Sequence, residues 1–457
     1  MDTPLSPQIT EKSPASSVSL FLLSLIGLPF LINPTVSVSF DEVYLWPKIW
    51  WIYGVVLPSA IAVIWSRRYL LRAQKTPPLL FLLTTFLGWL TLSTVINGNR
   101  AMTWWGAADR ADGLVMHLVY SVALLAGWML TQERTAYQKS LNVLVIGGSL
   151  LAMWSLTQQL GLIGVIGEGA FQGVIATPAG GPLGQRGYMG GLLALLLPVA
   201  VMTAGRATRM GWWAFAGAAL ITWALAGAYT RGAWIAGIAG VGWLAVWGWR
   251  TFPKRVWLAL PLGLCLFITT INTREPVREF NGSKGLLDGS QRTVLWNSAL
   301  YGIAQRPVFG WGAPAVWRVI NIRPVNEILL EQEAQGVVSA KRLSLAVNEM
   351  PSISVRLTDG SRHIVQTPVN KVHNEYLDYA LTYGIPAALM FIVLLSWAIW
   401  SSRRAAFGLS AALVAYAVYL LTWPEIIRFA PIAWFMMGIC LALGQQSSLL
   451  KSQKVRA

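Results

Sequence analysis

Three arginines and one histidine stand in this sequence beside membrane-length apolar runs, where charge is costly and must have a reason. The segment GPLGQRGYMGG, 181–191, sets Arg186 among glycines just ahead of an apolar helix. Glycines allow close backbone approach, and a helix N-terminus with a guanidinium makes an anion site. The alternative is a Gly-rich loop whose arginine snorkels to the interface. In AYTRGAW, 228–234, Arg231 is the single charge in a tight turn between two apolar runs. With Trp234 it reads equally well as an interfacial anchor. In GAADRADG, 106–113, Arg110 lies between Asp109 and Asp112, and local pairing with them would satisfy it without a ligand.

The histidine belongs to KVHNEYLDYALTYGIP, 371–386. His373 opens a helix on which Tyr376, Leu377 and Ala380 share one face. Asn374, Glu375 and Asp378 flank it, a polar cluster at an external surface that suits binding or catalysis; a structural histidine is the alternative. His117 falls within an apolar span and is expected to be hydrogen-bonded inside the bundle, and His363 sits on a predicted hairpin. The scattered histidines and the lack of HExxH, clustered cysteines or a DxD pair give no metal site, and no P-loop or GxGxxG context points to a nucleotide or other cofactor.

The elements that must position these residues are membrane helices. Hydrophobic residues make up 55% of the 457 and charged residues 12%, with mean hydropathy +0.54. A soluble chain carries about 25% charged residues, so lipid is the expected solvent. The net charge of +16 does not mark a nucleic-acid binder, because the basic residues are scattered through short loops. The 24 tryptophans suit helix ends at two interfaces. Cys265 and Cys440 lie in apolar runs and read as buried thiols.

Twelve spans are expected, near 17–35, 49–66, 78–96, 113–130, 140–160, 187–205, 211–228, 232–249, 255–272, 373–399, 406–422 and 430–446. The first is not read as a signal peptide. With twelve spans, Arg67, Arg68, Arg72 and Lys75, then Arg134 and Lys139, Arg206 and Arg209, Arg250, Lys254 and Arg255, Arg403 and Arg404, and the Lys451–Arg456 tail share one side. The positive-inside rule makes that side, and both termini, cytoplasmic. The fold class is therefore an all-α polytopic inner-membrane protein. Helices 1–9 fall in 1–272, a large periplasmic loop in 273–371, and helices 10–12 in 372–457. The loop looks folded: 292–305 has helical spacing through Leu295, Trp296, Ala299, Leu300 and Ile303, and 352–366 reads as a hairpin turning at Asp359-Gly360. As one helix 373–399 would be about 40 Å long, more than a bilayer core needs, so a break near Gly384 and Pro386 is expected.

Four segments in this order, GQRGYMGG, TRGAW, QRTVLWNSALYGIAQRPVFGWG and HNEYLDYALTYGIP, resemble the O-antigen ligase and O-antigen polymerase family of bacterial envelope glycosyltransferases. The resemblance spans roughly 80–400 and is most specific across 290–386. It implies a GT-C-like membrane fold and transfer of a glycan from undecaprenyl pyrophosphate, either to lipid A–core (ligase) or to another lipid-linked repeat (polymerase). It places Arg186 and Arg231 where the family's pyrophosphate-binding arginines lie and His373 at its catalytic histidine. Arg110, Arg292, Asn374, Glu375 and Tyr376 fall in supporting positions. GQRGY stands where many members have a GN-type sequence, which bears on the fine donor contacts but leaves the charge in place. Chemically, fixed cations can stabilise a departing pyrophosphate without metal, and histidine suits deprotonation of an acceptor hydroxyl. The ligase is the reading favoured here. A bicarbonate-type transporter or a lipid-linked sugar flippase is the alternative from another class, but neither needs an external base and no inverted repeat is evident.

Overall fold

The computed structural model describes residues 15–456 except 36–38, 74–77, 99, 108–109, 167–176, 178, 271–291, 332–336, 345 and 368. Each of the twelve apolar runs is helical over most of its length. They give α1 (Ala15–Gly27), α2 (Phe40–Ser66, with a π-turn at Ile52–Val56), α3 (Pro78–Ile96), α4 (Leu114–Leu130), α5 (Arg134–Gln159) and α6 (Arg186–Ala204). Then follow α7 (Arg209–Ala226), α8 (Arg231–Gly248) and α9 (Ala259–Thr270). Among the described residues, five helices are long and apolar enough to cross a membrane: α2, α3, α5, α6 and Ile385–Ser402. Shorter apolar helices accompany them, so the fold is that of a polytopic membrane protein without fixing the count at twelve.

Local chemistry sets the helix ends. Ser39 and Thr208 accept from Glu42 N and Gly211 N, capping α2 and α7. Helix α6 is buried on almost every side, enclosed by α5, α7, α8 and a helix from the C-terminal third. Small residues permit the closest approaches, as between α4 and the last helix, α16 (Ala430–Arg456). A Cβ on Gly438 would lie 1.9 Å from the Leu124 carbonyl oxygen. Cys440 is buried as expected, but Cys265 is exposed, because α9 packs on α7 along one face and turns the other outward.

The loop beyond α9 is folded where it is described. It contains α10 (Arg292–Gln305), α11 (Ala315–Ile320), α12 (Val325–Glu331) and an antiparallel sheet β1 (Val337–Arg342), β2 (Ser352–Leu357) and β3 (Arg362–Gln366). The hairpin turning at Asp359-Gly360 is present, and β1, not foreseen, joins its β2 edge. The buried stripe of α10 runs through Val294, Leu295, Ser298, Ala299 and Gly302, whereas Leu300, expected on it, is exposed. The apolar spacing was right but the face is rotated toward the glycine, where Val319 and Leu381 pack.

The predicted break lies at Gly384, between α13 (Glu375–Tyr383) and α14 (Ile385–Ser402). Gly384 has φ +93, and a Cβ there would lie 1.8 Å from the Val308 carbonyl oxygen. The loop segment PVFGWG occupies that gap. Pro307 O accepts from Ile385 N at 2.8 Å, while Trp311 N and Gly312 N donate to the carbonyls of Leu381 and Thr382. Backbone groups freed by the break are thus paired by the loop, the condition for irregular backbone in a membrane protein. Helix α15 (Phe407–Tyr419) and α16 complete the bundle.

Candidate active site

His373 sits just ahead of α13, outside the helix that spans, α14. Its φ of +56 is left-handed, a sparsely populated conformation for a residue with a side chain. The flanks hold it there. Asn374 caps α13 by accepting from Leu377 N. Lys371 bridges Asp112 at 2.9 Å and Asp378 at 2.7 Å, and Val372 N donates to the same Asp378 carboxylate. Burial alone would depress the Lys371 ammonium, but Asp112, Asp378 and Glu375 more than offset it and hold Lys371 well above its usual value.

This changes the reading of Arg110. Asp112, one of the neighbours expected to satisfy it, forms an ion pair with Lys371, and the Arg110 charge acts on it as well. Arg110 reaches out of its own segment, donating to the Tyr188 hydroxyl at 3.2 Å and to Asn370 Oδ1 at 3.3 Å. Asp109 lies outside the described residues.

The polar residues after His373 are not its exposed surroundings. Glu375 and Asp378 are buried, and Glu375 accepts from Glu425 N at 2.7 Å. The Tyr376 hydroxyl donates to Ala417 O. These side chains fasten α13 to the bundle, because in a low-dielectric interior each charge must be paired or hydrogen-bonded. His117 bonds Gly113 O and the Tyr379 hydroxyl, as expected of a histidine inside the bundle.

What gathers around His373 is arginine and aromatic rings. The imidazole lies 5.5 Å from the indole of Trp423, centroid to centroid. The Arg292 guanidinium lies over the same indole at 5.6 Å. Tyr419 stacks on its other neighbour face at 6.2 Å, and Tyr188 meets it edge-on at 5.6 Å. The glycines of both N-terminal motifs turn out to accommodate this wall. A Cβ on Gly187 would stand 2.3 Å from the Trp423 ring, and one on Gly232 would stand 2.2 Å from Thr422 Oγ1 and 3.3 Å from Trp423. Arg186 and Arg231 are the first residues of α6 and α8, so their backbones are pinned beside Trp423 through these glycines.

The electrostatics follow. Burial, then the charges of Arg110 and Arg292, push the His373 imidazole down to about 3. Burial also lowers the Arg292 guanidinium; Tyr419 opposes that and the neighbouring Arg231 adds to it. Arg110, Arg231, Arg292 and His373 are thus linked through short-range repulsion, drawn from four chain segments. Neither His373 Nδ1 nor Trp423 Nε1, both buried, has a hydrogen-bond partner among the described residues. Arg186 N donates to Thr177 Oγ1 at 2.8 Å, while its guanidinium makes no hydrogen bond or ion pair with this group among the described residues.

Residues 216–337 match the family model described as O-antigen ligase. The match supports the resemblance to O-antigen ligases and polymerases. It runs from within α7 to the start of β1, so it contains Arg231 and Arg292 and ends before His373. No curated protein matches the chain.

Sequence reading missed one part of this site, the connection WPEIIRF, 423–429. Trp423 is the shared wall. Arg428 lies over the rings of Tyr188 and Phe40 and donates to Leu183 O. Glu425 accepts from Tyr379 and Trp434, and from Tyr416. The signal was present: two ionisable residues in a short connection between apolar helices meet the same cost criterion as Arg231.

Proposed function

We propose that Arg110, Arg231 and Arg292, with Arg186 at the rim, bind the pyrophosphate of an undecaprenyl-linked glycan, and that His373 is the base of a metal-independent glycosyl transfer. The observation that carries this reading is the position of Arg110 and Arg292 beside one imidazole, with Arg231 next to Arg292. A bound pyrophosphate would accept charge-assisted hydrogen bonds from these guanidiniums. The acceptor hydroxyl oxygen attacks the anomeric carbon, and the bond from that carbon to the pyrophosphate oxygen breaks. The electron pair leaves on the pyrophosphate, where the arginines stabilise it, and the hydroxyl proton passes to His373. An apolar groove of ≈ 590 Å³, lined by Leu225, Trp234, Ile238, Leu260 and Phe267 among others, opens one turn below Arg231 and suits a polyprenyl chain.

The protein is read as an inner-membrane transferase with cytoplasmic termini and a periplasmic site, to which the 1–272 and 372–457 bundle contributes Arg110, Arg186, Arg231 and His373 and the 273–371 loop contributes Arg292. The ligase reaction, with lipid A–core as acceptor, is the favoured form of this transfer, with the polymerase reaction as its alternative. The test is transfer by the purified protein in detergent, from undecaprenyl-pyrophosphate glycan to lipid A–core. His373→Ala is expected to lose about 10²–10⁴-fold in turnover while still binding donor. No product from the wild-type protein would return the reading to a carrier. In a null strain, long chains stranded on the carrier lipid are expected; a single stranded repeat would make the enzyme a polymerase.

A further inference from the structure

The three-stranded sheet has two unlike faces. Its inner face carries Ile353 and Val355, which belong to one buried cluster with Val372, the residue that precedes His373, and Leu381. Its other face carries Lys341 on β1, Arg356 on β2 and Arg362 on β3, all exposed. Arg356 is the direct cross-strand partner of Arg362, and its partner on β1 is Ser339, two residues from Lys341. Directly opposed side chains stand about 4.5–5.5 Å apart at Cβ and diagonal ones roughly 7–8 Å, so this arrangement opposes like charges and costs stability.

Nothing described relieves it. None of the three has an acidic partner among the described residues, whereas the neighbouring Arg342 turns inward to the carbonyls of Ile320 and Arg323. The nearest acid of the hairpin, Asp359, is engaged by Ser361 in the turn. Ser352 and Ser354 share the outward face and add hydroxyl donors between the cations. A solvated charged face would gain by alternating signs; this one holds a single sign across three strands.

We propose that the outward face of this sheet docks the phosphate-bearing sugars of the acceptor glycolipid, Lys341, Arg356 and Arg362 each meeting phosphate oxygens. The proposal rests on the transferase reading and names where its acceptor is held. Docking there places an anionic headgroup on the sheet whose last strand ends at Gln366, seven positions before His373, and whose inner face shares a buried cluster with Val372. The guanidiniums offer bidentate donors to phosphate and the serines complete the set.

The test uses the full chain in phosphatidylcholine nanodiscs, with the Lys341→Ser/Arg356→Ser/Arg362→Ser variant beside wild type. Binding of bisphosphorylated lipid A and of the same lipid after enzymatic dephosphorylation is measured at two salt concentrations. Three exposed charge contacts are expected to be worth roughly tenfold in affinity for the phosphorylated lipid, with the gap shrinking at high salt. The variant should bind the dephosphorylated lipid as wild type does, and in transfer should show raised acceptor KM with unchanged kcat and donor KM. Equal binding of phosphorylated lipid A by variant and wild type would overturn the proposal. So would equally strong competition by phosphatidylglycerol, which would assign the face to the bilayer. A protein that discriminates the phosphate but transfers no glycan would keep the docking face and sink the transferase reading.

Discussion

The imidazole of His373 and the indole of Trp423 face each other at 5.5 Å, and each has a buried ring nitrogen without a partner among the described residues. Trp423 comes from the far end of the chain yet touches the N-terminal turns that carry Arg186 and Arg231 as well as Arg292. Its expected role is to hold these groups at a fixed separation. Trp423→Phe should keep the ring contacts, expression and donor binding. Trp423→Ala should lower kcat more than donor affinity, at a stability cost of about 3–5 kcal/mol. Thermal unfolding in detergent and steady-state kinetics separate the two effects. A Trp423→Ala enzyme with unchanged kcat would deny the indole this role.

His373 sets a pH dependence. Burial and the nearby arginines bring it down to about 3 in the folded protein, against about 6.5 when unfolded. The unfolded state therefore binds more protons between those values, and stability rises with pH across that window. The contribution is complete above about pH 6.5 and is lost as pH falls toward the folded value. His373→Gln should accordingly lose less thermal stability than wild type on going from neutral to mildly acidic buffer. Bound pyrophosphate cancels the arginine charge and raises the imidazole, so the acid limb of kcat should lie at higher pH than that of kcat/KM.

Lys371 bridges two carboxylates two residues before His373. Removing one member of a buried ionic group leaves the others uncompensated, so Lys371→Met should cost about 3–5 kcal/mol. The double change Asp112→Asn with Lys371→Met should cost less than the sum of the single changes. Additive losses, read by denaturation in detergent, would show that the pair does not act as a unit.

Gly187 leaves no room for a methyl group against Trp423. Gly187→Ala should destabilise by about 1–3 kcal/mol through overpacking, and should impair turnover although Arg186 is untouched. Wild-type turnover in this variant would mean the indole can shift without consequence.

Topology is checked by cysteine accessibility, after replacing Cys265 and Cys440. Probes at 100–112 and near 330 should label from the periplasm, and probes at 67–75 and 403–404 from the cytoplasm. Cytoplasmic labelling near 330 would invert the site.

The sequence by itself determined the solvent and the elements. Apolar runs separated by basic loops leave few alternatives to membrane helices, and Gly384-Ile385-Pro386 dictates a break because neither glycine nor proline continues a helix well. The loop helix at Arg292–Gln305 and the hairpin at Asp359-Gly360 were likewise legible from local spacing. Pairing was not. That Asp112 would pair with Lys371 depends on bringing residues 259 positions apart within 2.9 Å. The purpose of Gly187 and Gly232 depends on a tryptophan more than 190 residues away. Local rules assign each glycine and charge to its own neighbourhood. Only the packed bundle fixes which distant side chain fills the space a glycine leaves and which carboxylate claims a lysine, because close packing and the cost of unpaired buried charge are settled among all the helices at once.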